Sequence, residues 1–456
     1  MAHDGVIKGS NGGNVKVANN AEFPKEWTIV SLERDCVLIS GLRPKGGASD
    51  EGIPSLGGEH ITLDGRINFS DVNAKYIPEK FFKIMTKGKT EENDILINKD
   101  GANTGKVAML KKKFYKDIAI NEHLFILRSK KLFVQQYLFY WLFSRFGQKQ
   151  ITDRITGSAQ PGLSSTFIKN FLVPRTPLPE QRKIAEILET IDSAIEKTDA
   201  IIEKYKRIKQ GLMQDLLTKG VVNEGEGESE RWRLRDENID KFKDSPLGRI
   251  PEEWEVVKLL DVSNKIIDGT HYTPTYTEDG VPFLRVIDIQ QQNIDLDSVM
   301  KIKYEEDKFL AKRCLPEYGD ILYSKNGTIG ISKLVDWKWG FSIFVSLCLI
   351  KPKHEKVFNI FLKYFLDSDW VKKQIILRAK QLSVTNLHLE EIREFIISLP
   401  HLSEQQRIAS ILSQIDEAIE KEQAYKEKLE RIKKGLMEDL LTGKVRVNHL
   451  IEEEEK

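Results

Sequence analysis

A segment of 42 residues occurs twice, and this constrains the fold more than any other feature of the chain. The stretch from Glu180 to Val221, EQRKIAEILETIDSAIEKTDAIIEKYKRIKQGLMQDLLTKGV, returns 224 positions later as EQQRIASILSQIDEAIEKEQAYKEKLERIKKGLMEDLLTGKV, from Glu404 to Val445. No gap is needed, and 26 positions are identical. An internal repeat has to be recognised before a fold is assigned, because its copies build equivalent units.

Each copy has the periodicity of one long helix. Ile184, Ile191 and Tyr205 recur at heptad spacing, with Ile187, Ala194, Ile201 and Ile208 three positions on. Leu188, Ile195 and Ile202 widen the stripe. The second copy keeps Ile408, Ile411, Ile415, Ala418, Leu429 and Ile432. A stripe of this kind suits a helix packed lengthwise on another helix. Thr198 and Glu422 interrupt the two stripes at matching places. Pro177 and Pro179 stand at the first helix start, where proline is tolerated, and Gly220 and Gly443 follow the two ends. Some 38 helical residues span roughly 57 Å at about 1.5 Å each. Such a helix is not stable alone; its own duplicate is the obvious partner, and its own globular domain is the alternative.

The remaining sequence is also duplicated, more loosely. FPKEWTIVSL near Trp27 is echoed by IPEEWEVVKL near Trp254, and NDILINKDGANTGKVAML is echoed by GDILYSKNGTIGISKLV. The aromatic helical stretch LFVQQYLFYWLFSRFGQKQI has its counterpart in FNIFLKYFLDSDWVKKQI. Alternating apolar runs broken by Gly and Pro mark short strands and turns in both halves. The expected organisation is a flexible tail (residues 1–22), a first globular domain (23–170), a first helix region (171–221) and a charged linker (222–248). A second domain (249–394), a second helix region (395–446) and an acidic tail (447–456) follow. The fold class is α+β: two mixed α/β domains and two long helices, built by internal duplication.

Net charge is +1 over 456 residues, so any electrostatic attraction to a partner must be local. Cys36, Cys314 and Cys348 are far apart and form no CxxC pair, which suits reduced thiols in the cytoplasm. No run approaches the roughly 20 apolar residues of a membrane span. Catalytic motifs are missing. Gly101-Ala102-Asn103-Thr104-Gly105-Lys106-Val107 resembles a phosphate loop but is one residue short and lacks the Ser or Thr that binds Mg²⁺. None of the 15 prolines follows Asn or Asp, as the pocket motif of an adenine methyltransferase requires. GxGxxG, GxSxG and HExxH patterns are likewise absent, and no metal or cofactor site is expected.

Both halves instead carry Gly-rich loops with side chains suited to nucleic acid. These are Arg43 and Lys45; His60 and Arg66; Asn98, Lys99, Asn103 and Lys106; and Ser158 and Gln160 in the first half. In the second half they are His271, Tyr272 and Thr273; Arg285; Lys325 and Asn326; and Lys380 and Gln381. Arg and Lys reach phosphates or guanine edges, and Asn and Gln pair with adenine. A scaffold whose globular domains bind protein is equally compatible with the long helices.

PLPEQRKIAEILETID and HLSEQQRIASILSQID at the helix starts, with RIKQGLMQDLLTKGV and RIKKGLMEDLLTGKV at the ends, resemble the specificity subunit of type I restriction–modification systems. KDSPLGRIPEEW, DGTHYTP and GSAQPGLS resemble further segments of that family. The resemblance runs from about Phe23 to Val445 and implies a non-catalytic subunit that binds double-stranded DNA. Each domain would read one half of a split target, and the two long helices would pack as an antiparallel coiled-coil spacer, giving the fold pseudo-two-fold symmetry. Two methyltransferase subunits and two restriction (translocase) subunits would be its partners, and S-adenosylmethionine and ATP would belong to them. AKQLSVTNLHLEEI in the second half departs from GSAQPGLSSTFIKN in the first, losing its Gly and Pro.

Overall fold

The structure is a computed structural model that describes residues 6–8, 14–16, 23–157, 160–225, 231–290, 293–379 and 386–451. It divides into two compact units, one of Met1–Asp199 with Ala424–Lys456 and one of Ala200–Gln423. The long helices run Leu178–Leu216 and Leu402–Leu441, and each contributes one segment to each unit.

In the first unit a four-stranded antiparallel sheet is ordered Cys36–Ser40, Leu124–Ser129, Asp94–Asn98, Val107–Leu110. A smaller sheet joins Tyr76–Ile77, Ile53–Leu56 and Ala119–Ile120, the last pair parallel. The strand Thr28–Ser31 pairs with Leu172–Arg175. One face of the main sheet is covered by the helix Gln135–Phe143, whose Tyr137, Leu138, Tyr140 and Trp141 are almost fully buried with Ile184 and Leu188 of the long helix.

The second unit repeats this plan. Its sheet is ordered Ser263–Asp268, Leu347–Pro352, Ile321–Ser324, Ser332–Leu334, again antiparallel. Val281–Leu284 pairs in parallel with Ser342–Ile343, and Glu255–Lys258 pairs with Ile396–Leu399. The helix Asn359–Leu366 buries Phe361, Leu362 and Phe365 beside Ile408 and Leu412.

Buried polar contacts are duplicated as well. Trp27 Nε1 donates to Glu180 at 3.3 Å, and Trp254 Nε1 donates to Glu404 at 3.1 Å. The Gln181 side-chain oxygen accepts from the Val134 amide and that of Gln405 from the Phe358 amide, both at 2.8 Å. Tyr140 donates to Asp192 and Tyr364 to Asp416, both at 2.7 Å. These contacts seat each helix start on its own domain.

Within the first unit, Asp192 pairs with Lys433 and Asp199 with Lys426, each at 2.6 Å. An advance from 192 to 199 on one segment is a retreat from 433 to 426 on the other. Within the second unit, Lys209 pairs with Asp416 at 2.6 Å. The buried line on the first helix is Ile184, Leu188, Ile195, Thr198 and Ile202. Thr198, expected to break the stripe, lies in it, because its Oγ1 returns a hydrogen bond to the Ala194 carbonyl at 3.0 Å. Ile201 and Ile208 are instead 39% and 38% exposed.

The stretch 222–248, expected as a linker with a little order around Trp232 and Phe242, takes part in two hairpins, Val221–Asn223 with Trp232–Leu234 and Phe242–Ser245 with Gly248–Pro251. Arg235 follows the first of them and binds Glu404, buried to 5% exposure. In the first unit Arg446 takes the corresponding place on Glu180. Within the expected tail, Val6–Lys8 pairs with Asn14–Lys16.

Candidate nucleic-acid interface

The C-terminal ends of Cys36–Ser40 and Asp94–Asn98 and the start of Leu124–Ser129 lie at one end of the first sheet, because the central strand runs antiparallel to both neighbours. The chain leaves the first strand through Gly41, where a Cβ would stand 1.9 Å from the Asn121 carbonyl oxygen. Only glycine allows this approach. At the corresponding place of the second unit, a Cβ on Gly269 would stand 2.0 Å from the Ile343 carbonyl oxygen.

Five loops of the first unit meet at this end. Asn103 Nδ2 donates to the Gly58 carbonyl at 2.9 Å, and Thr104 Oγ1 to the Pro161 carbonyl at 3.0 Å. The Lys99 amide donates to the His123 carbonyl at 2.9 Å, and the Leu163 amide to the Lys99 carbonyl at 2.6 Å. Arg43 pairs with Glu122 at 3.1 Å and keeps 61% of its side chain exposed. Lys45 and Gln160 are exposed, and Lys99, Asn103 and Lys106 are partly so. The resemblance to a phosphate loop ends here: residues 99–106 connect two antiparallel strands, and no helix follows.

His60 and Asn98 are corrected by the structure. His60 is fully buried, its Nδ1 accepting from the Gly57 amide at 2.8 Å and its Nε2 lying 2.9 Å from the Asn73 carbonyl. Asn98 is 1% exposed beneath Gly58, its Nδ2 donating to the Asp100 carbonyl at 2.9 Å. Both hold loops in shape and present no surface. Ser158, Lys380 and Gln381 lie outside the described residues.

In the second unit the loop 269–275, the turn 325–330 and the segment 344–346 meet in the same way. The Val345 amide donates to the Thr270 carbonyl, and the Lys325 amide to the Ser346 carbonyl, both at 2.9 Å. His271, Tyr272 and Thr273 are exposed at the tip. Arg285 is partly buried and held by Asp288 at 3.3 Å, and Asn326 is partly buried.

Lys325 is the third correction. It is 7% exposed, and its ammonium lies 3.3 Å from Asp268. Arg313 binds the same carboxylate at 2.6 Å and donates to the Asp268 and Gly269 carbonyls at 2.9 and 2.8 Å. His271 Nε2 is 3.1 Å away. Burial alone would push the Asp268 carboxyl up, but the Arg313 and His271 hydrogen bonds and the Lys325 charge hold it below the usual aspartate range. The loop 269–275 is thus tied to its strand by one buried carboxylate.

Asp100, Glu122, His123 and Arg313 belong to these clusters and escaped sequence reading. Glu122 and His123 sit in AINEHLFILR, where the strand pattern hides a turn before Leu124. Carboxylates beside cations are chemically useful here, because Glu and Asp accept from the cytosine amino group while Arg and Lys reach guanine. Among the described residues no cluster of His, Cys, Asp and Glu has the grouping of a metal site.

The sequence matches the type I restriction modification DNA specificity domain over residues 67–206 and again over 251–431. The chain belongs to that family. Two relatives from Methanocaldococcus jannaschii agree. The type I restriction enzyme MjaVIII specificity subunit is 30% identical, over 96% of this chain and 97% of its own length. The putative MjaX specificity subunit is 31% identical, over 95% and 97%. The fold is similar to the crystal structure of a type I restriction–modification S subunit from M. genitalium. The TM-score is 0.56 at 16% identity, covering 93% of this chain and 98% of that one, a likeness of fold alone. The specificity subunit described here is accordingly a DNA-recognition component and not a catalytic one.

Proposed function

We propose that each globular domain reads one half of a split double-stranded DNA target through its loop cluster, and that the two long helices pair antiparallel as a coiled-coil spacer. The observation that carries this is the same loop cluster at the same end of the same four-stranded sheet in both units. Contacts to DNA fall to Arg43, Lys45, Lys99, Asn103, Lys106 and Gln160 on one side. His271, Tyr272, Thr273, Arg285 and Asn326 serve the other, and Ser158, Lys380 and Gln381 join them from segments outside the described residues. The ion pairs Asp192–Lys433, Asp199–Lys426 and Lys209–Asp416 support antiparallel pairing. The domain limits expected from sequence (23–170 and 249–394) delimit the two readers.

Methyltransferase subunits dock on this frame, and restriction subunits complete the complex. Ile201 and Ile208 on one helix and Tyr425 and Ile432 on the other are exposed at corresponding positions, which supports two equivalent docks. No helix among the described residues is long and apolar enough to cross a membrane, which suits work in the cytoplasm.

The test is a map of adenine methylation in cells with and without the gene. A split motif that vanishes with the gene is expected, and replacing residues 23–170 alone should change one half of it. If no split motif depends on the gene, the reading fails. A protein-binding scaffold would also give no salt-sensitive, sequence-selective gel shift by the assembled complex.

A further inference from the structure

Arg66 stands outside the DNA-reading cluster of the first unit, yet it is held with care. It closes the turn Thr62–Arg66, in which the Thr62 amide donates to the Arg66 carbonyl at 3.0 Å and the Arg66 amide to Thr62 Oγ1 at 3.0 Å. Gly65 has φ +82°, and a Cβ there would stand 3.0 Å from both Phe139 and Phe143, so the turn is seated on the aromatic helix. From this seat the Arg66 guanidinium reaches out of the globular domain to the first long helix.

There Nη1 donates to Asp199 Oδ2 at 2.9 Å, while the other oxygen, Oδ1, takes Lys426 of the second long helix at 2.6 Å. Nε of Arg66 lies 3.0 Å from Asp64. One carboxylate thus joins three elements: the domain's turn, one helix and the other. Burial would push the Asp199 carboxyl up, but Lys426 and Arg66 hold it below the usual range.

The repeat does not carry this device over. At the offset of 224, Gln423 stands for Asp199 and Ile202 for Lys426. Gln290 and Asn293, which line the cleft beside the helices of the second unit, carry no charge. By contrast, the Asp192–Lys433 pair is retained as Asp416–Lys209. The triad therefore serves something the first domain needs and the second does not.

We propose that Arg66 is a positioning residue. By bridging to Asp199 it fixes the angle at which the first recognition domain is carried on the helix segments, and so makes the protein strict about the gap between the two half-targets. This rests on the split-target reading above. Arg66 touches no base, and its removal leaves both reading clusters intact.

The test uses the subunit assembled with its methyltransferase partners in a host whose genomic DNA offers every gap length at once. Adenine methylation is read for the wild type, Arg66→Ala, Asp199→Asn, the double variant and Arg66→Lys. The wild type is expected to methylate one gap. Arg66→Ala and Asp199→Asn keep both half-motifs but raise methylation at gaps one base pair longer or shorter, by about twofold to fivefold for a partly exposed ionic contact. The double variant does no more than either single one, because the two act as a unit. Arg66→Lys restores part of the strictness. Unchanged gap preference, or an even loss at every gap, overturns the proposal. A wild type without a split motif overturns the split-target reading instead.

Discussion

The clefts between globular domain and helix segments are lined at matching positions in the two units, and they differ. In the first, Phe139, Phe143 and Phe146 face Ile195, Lys433 and Met437 around a cavity of about 330 Å³. In the second, Lys363, Asp367 and Trp370 replace the three phenylalanines, opposite Ile419, Lys209 and Met213, around about 990 Å³. The helix side is kept almost residue for residue and the domain side is not. On the proposed pairing, the helix face that meets its duplicate is constrained by the other copy. A domain surface need only find some complement to that face, so it is free to change, and the two domains are seated differently on their helix segments.

The largest expected effect tests the seats that are duplicated. Glu404 binds Arg235 (5% exposed), the Trp254 indole and the Val221 amide, whereas Glu180 binds Arg446, which is 25% exposed. Removing one partner of a buried pair leaves the other charge uncompensated. Glu404→Ala is therefore expected to cost about 4 kcal/mol and Glu180→Ala about 2 kcal/mol in urea unfolding. Equal losses would show that the seats are energetically alike despite their exposure.

Lys99 and Lys325 occupy corresponding places, since the amide of each donates to the segment before the next strand. Their side chains differ: Lys99 is 28% exposed and lies over the Phe125 ring at 5.7 Å, while Lys325 is buried on Asp268. Lys325→Ala is expected to destabilise the second unit by about 2 kcal/mol, because a buried carboxylate loses a charged partner. Lys99→Ala should leave stability unchanged and lower the salt slope of DNA binding by about 1, one phosphate contact. Gel shifts of the assembled complex across salt, beside thermal melts, separate the two.

The pH response follows from Asp268. Its folded-state pKa is depressed, so its stabilising contribution is complete above the unfolded value of about 3.9 and is lost as pH falls through the folded value. Acid unfolding of the second unit should therefore flatten in Asp268→Asn, read as the slope of stability against pH below about 4. A wild-type slope in the variant would place the acid sensitivity elsewhere.

Only a small effect on stability is expected at the exposed stripes. Ile208→Ser and Ile432→Ser should each change unfolding free energy by less than about 0.5 kcal/mol. Both should weaken capture of methyltransferase subunits, measured by co-sedimentation. Loss with only one of the two would break the equivalence of the docks.

Much of the frame was legible because a repeat declares itself. Gly220 and Gly443, at φ +62° and +71°, end the helices as read, and Pro177 precedes the first. The Gly41 and Gly269 approaches were legible as Gly-marked loops. His60, Asn98 and Lys325 were misplaced because a polar residue beside glycine reads as a loop tip, while burial depends on what another loop lays over it. Gly58 covers Asn98, and Asp268 with its loop covers Lys325. The heptad pattern also admitted two adjacent stripes, and the line through Ile195, Thr198 and Ile202 is the buried one.

The sequence by itself determined that the chain is two copies of domain and helix, that no catalytic motif accompanies them, and which family the pattern resembles. These follow from the identity and order of the residues, which are properties of the chain alone. Tertiary structure decided which polar side chains face outward, which carboxylate each arginine finds, and that Arg446 closes the first unit from near the end of the chain, 266 residues after Glu180. Such pairings join residues remote in sequence, and burial makes them: a charge taken from water must find its partner wherever the fold has brought one.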